Sequence, residues 1–286
     1  MSTLKNKINW MILVEVNGAN PNGDPLNGGF PRTDSDGYGF LSDVCIKRKL
    51  RNRLQDMGET IYLKAGDRAD DGYKSLKKRL EALPGFVENL DKPEKLHELL
   101  CKTYADVRAF GALVATKYKT KKEEKSVSLG IRGPLTVYRA KSVCPVMTTE
   151  MQITKSASMD ESDKKGSDTM GKKGFVEHGL YVVCGSINAR LGTKTGLTEK
   201  DVDNLKEALC TLFDNDASAA RPEGSIEVAR LYWWRSPQID GVVRDSKVFD
   251  SIEITPKEDS DNLGHIDGYN IVEHPIEGLV GEVVEL

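Results

Sequence analysis

Apolar residues recur along this chain at two periods, and each change of period marks an element. INWMILVEV (8–16) is dense in β-branched and apolar residues with little polar relief, as a strand covered on both faces should be. The pattern then stops. Residues 17–40 hold six glycines and three prolines, which leave no room for a helix or a regular ladder, so they predict a long loop. Ser42 and Asp43 supply an N-cap and a first-turn acid, and Ile46, Leu50, Leu54 and Met57 recur at helical spacing, predicting a helix from 42 to about 57.

Two more helices are predicted at about 73–83, stopped by Pro84-Gly85, and at about 92–103, opened by Asp91 and Pro93. Residues 104–115 and 127–143 read as β-rich stretches joined by a lysine-rich hairpin tip. Residues 147–176 are polar and rich in Gly, Ser and Lys, a protruding excursion. LYVVCGSINARL (180–191) predicts a strand. Thr198 to about Phe213 predicts a helix with Asp201 at the third position of a capping box, and IEVARLYWWRS (226–236) predicts a last strand. With the insertions removed the order is βαββαβ. The expected fold class is α+β, a ferredoxin-like palm of the kind RNA-recognition-motif domains use. We expect one domain over 1–286, with insertions at 58–130 and 147–176 and an acidic C-terminal segment at 245–286.

Composition narrows the function classes. A chain 38% apolar and 30% charged, with no apolar run near the ~18 residues of a membrane span, is expected to meet no membrane. MSTLKNKINW has no apolar core and cleavage site of a secretory signal, so a cytoplasmic location is expected. Five widely spaced cysteines predict buried thiols and no disulfide frame. The net charge of −3 hides an asymmetry: residues 245–286 carry 11 carboxylates and 2 lysines, net −9, which leaves 33 acids and 39 bases, net +6, in the rest.

That basic body has a focus. Lys47, Arg48, Lys49, Arg51 and Arg53 fall within seven residues of the first predicted helix, and helical geometry puts Lys47, Arg48 and Arg51 opposite the apolar stripe. Such a face serves equally as a solvated surface or as a grip on phosphates. NPNGDP (20–25) just upstream fits a pair of β-turns, and also an anion cradle of glycine-freed N–H groups and Asn amides. Asn20, Asn22, Gly23, Arg32 and Ser42 join the candidate RNA-binding residues on that second reading. Asp24, Asp34 and Asp36 fit turn formation or a Mg²⁺ site, but no second carboxylate cluster or histidine spacing accompanies them. Nucleotide-binding, nucleophile-elbow and zinc motifs are absent, so no catalytic residue, metal or cofactor is expected. In Tyr232-Trp233-Trp234 alternation sends at least one ring to the core, leaving the others open to base stacking. The strand at 180–190 lacks the usual base-stacking motif, so RNA is expected away from the usual sheet face.

NPNGDP, SDVCIKRKLRN, DVRAFG and GPLTVYRAKSV, in this order, resemble the seventh Cas family in its type I-C form, the repeating backbone subunit of the CRISPR Cascade complex. The resemblance spans most of the chain and is weakest over 245–286. It implies a modified RNA-recognition-motif palm with a helical fingers insertion and a thumb hairpin. It also implies a non-catalytic scaffold whose copies run head to tail along the spacer of a CRISPR RNA and present its bases to target DNA. The implied partners are the CRISPR RNA, target DNA, further copies, the Cascade large subunit and the repeat-processing endonuclease subunit. On this basis 147–176 is the candidate thumb, with Lys155, Lys172 and Lys173 for phosphates and Met151 or Met170 as a wedge. Two other readings stand beside it: a metal-dependent RNA-cleaving subunit using Asp24, by analogy with type III backbone subunits, and a solitary RNA-binding domain.

Overall fold

The computed structural model describes residues 2–119, 124–154, 170–258 and 263–286. β1 (Ile8–Ala19) opens the chain, and the Gly-rich segment after it carries β2 (Gly23–Asp24), a 3-10 turn at Pro25–Asn27, β3 (Phe30–Pro31) and β4 (Tyr38–Leu41). α1 (Asp43–Asp56) follows, then α2 (Leu76–Glu81), α3 (Pro93–Thr103), α4 (Ala105–Phe110) and the hairpin of β5 (Gly111–Lys119) and β6 (Glu124–Arg132). β7 (Leu135–Val137), β8 (Ala140–Pro145) and β9 (Thr148–Thr154) precede the long β10 (Met170–Ile187). Then come α5 (Ala189–Thr195), α6 (Glu199–Cys210), β11 (Ile226–Arg235), α7 (Asp245–Phe249), β12 (Ile252–Pro256), β13 (Tyr269–Glu273) and β14 (Val280–Glu285).

β1 is the hub of a large antiparallel sheet of order β14-β11-β1-β10-β8-β4, and β7 and β9 also pair with β10. Its neighbours explain its composition: β10 and β11 flank it, and its side chains alternate between two buried layers. Ile8, Trp10, Ile12 and Val14 meet α1 and α6 through Ile46, Leu50, Val202 and Leu205 in the main core. Trp10 needs its partner across the ladder to be glycine, since a Cβ on Gly185 would stand 2.1 Å from the indole. Met11 and Leu13 point the other way and meet Leu180, Tyr232, Trp234, Val248 and Tyr269. A separate core of Tyr62, Leu80, Phe86, Leu96, Leu100, Val107, Val114 and Tyr118 holds α2, α3, α4 and the β5–β6 hairpin together.

Several expectations change. The stretch 104–115 is α4 followed by β5, because α4 is buried on two sides: Ala105 and Ala109 enter the main core and Val107 the second, which imitates the alternation of a strand. The strand at 180–191 ends at Ile187, where Asn188 caps α5 by accepting the Leu191 N–H. The loop at 17–40 is a folded strap containing three short strands, and the β-rich stretch at 127–143 divides into the end of β6, then β7 and β8. The described residues of the acidic segment 245–286 fold as α7, β12, β13 and β14, and α7, β12 and β13 cover the second sheet face. The box of Thr198 and Asp201 forms as its spacing predicts.

Candidate nucleic-acid interface

The strap between β1 and α1 is held by its own polar groups. Asn20 is buried, donates its N–H to the Ala220 carbonyl at 2.8 Å and its side-chain amide to the Gly29 carbonyl at 2.7 Å, while its Oδ1 has no partner. The Asn22 Oδ1 accepts both the N–H and the hydroxyl of Ser42, at 2.9 and 3.0 Å, fastening the strap to the start of α1. Gly23 admits no side chain, because a Cβ there would lie 2.7 Å from the Gly29 oxygen. Asp24 accepts the Leu26 N–H and pairs with Arg32 at 3.2 Å; Leu26, 98% exposed, forms the tip. Asp34 accepts the N–H groups of Asp36 and Tyr38 and pairs with Lys141 at 3.3 Å. Asp24 and Asp34 thus act as turn formers, and no cluster of three metal-ligating groups exists among the described residues.

On α1 the structure corrects the expectation of a single open cationic face. Ile46, Leu50 and Leu54 face the core, and the bases beside them become internal staples. Lys49, 5% exposed, pairs with Asp216 and lies 5.0 Å from the Phe213 ring; burial lowers its pKa, against the opposing pull of Asp216. Arg51, 9% exposed, donates to Asp106 at 3.0 Å and stacks 4.5 Å from the Phe110 ring. Arg53 is tied to Thr211 at 2.7 Å and Asp214 at 3.4 Å. Arg48 donates to the Leu63 carbonyl at 2.6 Å, and burial, then the Arg51 charge, pulls its pKa down. Lys47, one turn in from Ser42, is partly exposed and pairs with Asp43 of its own first turn at 2.8 Å; that bond lowers the Asp43 carboxyl pKa.

β9 and the start of β10 form the stem of the expected thumb. Lys172 pairs with Glu150 at 2.5 Å, and Lys173 stands opposite Met151 in the ladder. Met151 and Ile153, 50% and 47% exposed, lie on one face of this stem. Met170 pairs with Thr154 through its backbone, while its side chain and Lys155 lie outside the described residues. Gly174 joins stem to strap: a Cβ there would come 2.3 Å from the Phe30 ring and 3.0 Å from Pro31. Phe30 on Gly174 and Asn22 on Ser42 therefore make the thumb stem, the strap and the N-terminal end of α1 contiguous.

The sequence reading missed Ile153 and a group at the sheet edge. Tyr38 and Phe40 on β4 lie under Lys141 and Arg139, whose charges stand 4.0 and 4.9 Å from the ring centres. Their signal was present in GPLTVYRAKSV, but the aromatic partners sit a hundred residues upstream in sequence. The YWW run departs from the stacking alternative: Tyr232, Trp233 and Trp234 are all buried, with Tyr232 and Trp234 stacked at 5.8 Å beneath the C-terminal segment. No helix among the described residues is long and apolar enough to cross a membrane.

A chain of a CRISPR RNA-guided surveillance complex aligns with 90% of this chain and 78% of its own, at 15% identity and a TM-score of 0.49. A chain of such a complex in a pre-nicking state aligns with 80% and 75%, at 15% identity and a TM-score of 0.48. The CRISPR-associated protein Cas7 of Haloferax volcanii is 28% identical over 224 residues, covering 73% of this chain and 64% of the relative, so the match spans somewhat less than two thirds of that protein. The family model of CRISPR-associated protein Cas7 matches residues 6–273, nearly the whole length, and on that match the chain belongs to the Cas7 family.

Proposed function

We propose that this protein is a non-catalytic backbone subunit of a type I-C CRISPR Cascade complex, which grips the sugar-phosphate chain of the CRISPR RNA and leaves base edges free to pair with target DNA. The observation that supports the proposal is the contiguity of thumb stem, strap and α1 terminus, through Phe30 against Gly174 and Asn22 on Ser42, and Lys47, Arg32, Lys172 and Lys173 on these three parts are the phosphate contacts of this reading. A subunit that accepts any spacer binds through phosphate and sugar, since base-edge contacts would impose a sequence. Lys49, Arg51 and Arg53 stabilise the subunit in this reading and do not touch RNA. Met151, with Ile153 beside it, is the apolar wedge of the thumb.

A modified RNA-recognition-motif palm accords with strands β11, β1, β10 and β7–β8 lying side by side and antiparallel, with α1 and α6 on one face. A fingers insertion over 58–130 accords with its separate core, and a thumb over 147–176 with the β9–β10 stem. Copies assemble head to tail on the RNA, with the large subunit and the repeat-processing endonuclease as further partners. Heterologous contact between copies gives an open helix whose length the RNA limits.

The test is RNA binding by Lys47→Ala/Lys172→Ala/Lys173→Ala in the full chain. Affinity should fall uniformly across unrelated sequences, and the slope of log affinity against log salt should flatten by about 2, at ~0.7 per phosphate contact. Losses that follow base sequence would refute the proposal. Cleavage of complementary RNA with Mg²⁺ that Asp24→Ala abolishes would restore the metal-dependent reading.

A further inference from the structure

The sheet face turned away from α1 and α6 is only partly closed. The C-terminal segment covers it over β11 and β1, through Tyr232, Trp234, Met11 and Leu13. The cover reaches β8 at Val143 and Cys144, and Phe249 meets the half-exposed Tyr138 edge-on at 5.7 Å, but neither Tyr38 nor Phe40 on β4 packs into it. Beyond that boundary lies the strip of Tyr38, Phe40, Arg139 and Lys141.

Strand geometry fixes which way the rings point. Leu41 enters the main core and Gly39 faces the same side, where a Cβ would collide with Tyr181 at 2.2 Å. Tyr38 and Phe40 therefore project to the opposite face, two residues apart. A cation roofs each ring: the Lys141 ammonium at 4.0 Å from Tyr38 and the Arg139 guanidinium at 4.9 Å from Phe40. Lys141 shares Asp34 at 3.3 Å, whereas exposed Arg139 has no carboxylate partner among the described residues. Protecting an edge strand from unwanted pairing requires the charges alone. It leaves the two part-exposed rings beneath them unexplained.

We propose that this strip is a stacking platform for one or two unpaired bases of single-stranded RNA. A base takes the place of the roofing cation on each ring, and Arg139 and Lys141 swing to the flanking phosphates. The chemistry selects the occupant: ring faces need an exposed π-surface and the cations need a nearby anion, and an unpaired nucleotide offers both. A duplex hides its base faces, and an acidic peptide would engage the cations and leave the rings idle. The exchange runs downhill, because base–aromatic stacking exceeds an exposed cation–π contact and each released cation finds a phosphate. Every base has a π-face, so the platform adds affinity without reading sequence. It gives a role to GPLTVYRAKSV, which supplies both cations, and it rests on the RNA-binding reading above.

The experiment uses the full chain with matched short mixed-sequence RNA and DNA single strands. Tyr38→Ala/Phe40→Ala should bind the RNA about tenfold or more weakly, while Tyr38→Phe/Phe40→Tyr should bind as the parent does. Photocrosslinking of 4-thiouridine RNA to the parent protein should label Tyr38 or Phe40, a readout independent of whether the alanine variant folds. Unchanged RNA affinity in the alanine variant, labelling confined to other segments, or a loss seen with DNA and not with RNA would each overturn the platform while leaving the backbone-gripping proposal standing. A parent protein that binds no RNA would overturn both.

Discussion

Replacing Asp106 should uncouple the two cores. Its carboxylate is fully buried and accepts three hydrogen bonds: from the N–H groups of Tyr62 and Leu63, at 2.8 and 3.1 Å, and from Arg51 Nε at 3.0 Å. Asp106→Ala leaves Arg51 as an uncompensated buried charge, a loss of about 3–5 kcal/mol. It also strips two backbone donors of their acceptor, at about 1–3 kcal/mol each when buried. These losses overlap, and about 5 kcal/mol is a reasonable total, comparable with the ~5–15 kcal/mol by which a domain is stable. Asp106→Asn keeps the size and one acceptor and should lose about 3 kcal/mol. At an unfolding entropy of roughly 2.1 cal/mol/K per residue, that corresponds to a fall in Tm of about 5 °C for a chain of this length. Urea unfolding followed by tryptophan fluorescence reads the change, and hydrogen exchange at Tyr62 and Leu63 locates it. A double-mutant cycle with Arg51→Met should give a coupling of about 2 kcal/mol. A loss under about 1 kcal/mol for Asp106→Ala, or strict additivity with Arg51→Met, would refute the assignment of this pair as the junction.

Asp71 tests the same logic through pH: the bidentate Arg79 pair holds its carboxyl far below the usual 3.8, so its contribution should persist at neutral pH and fade only as pH falls below about 3.8 towards the depressed folded value. The Tm gap between parent and Asp71→Asn should therefore be constant from neutral pH to mildly acidic and close below it; a gap closing near pH 6 would refute this. Burial raises the pKa of all five thiols, Cys101 to about 11 and Cys184 to about 12, so native protein should resist a thiol reagent near neutral pH and react fully when unfolded. Rapid labelling of Cys101 or Cys184 in the native state would contradict the packing. Gly174→Val should push Phe30 off the thumb stem, costing about 1–3 kcal/mol and speeding proteolytic cutting within the strap; unchanged proteolysis would mean that Phe30 does not anchor it.

The sequence made local structure legible and hid whatever depends on distant partners. α1 and α6 could be read because cap, acid and apolar stripe agree within a few residues of one another. α4 could not, because its two faces enter different cores and its alternation reads as β. α5 could have been found, since Asn188 and the left-handed Gly196 mark both its ends, but the apolar run before it overshadowed them. The basic run on α1 was visible as charge. Which of its members stay open was decided by Asp106, Asp214 and Asp216, up to 167 residues away, and no local pattern announces such pairs. The DVRAFG segment carried part of the family resemblance, and its work here is architectural: Asp106 clasps Arg51, and Arg108 clasps Asp201 at 2.6 Å.

The cover over the second sheet face comes from described residues after 244, so the chain makes every strand of the large sheet but β14 before it makes the cover. At ~5–20 residues per second on a ribosome, Tyr232, Trp234, Met11 and Leu13 stay bare for about 3–10 s after β11 is synthesised. During that interval the nascent protein shows a sticky aromatic surface, and a message truncated before codon 245 would leave it showing for good. Chaperone dependence during translation, and aggregation of such truncated products, are the cellular counterparts of building this face last.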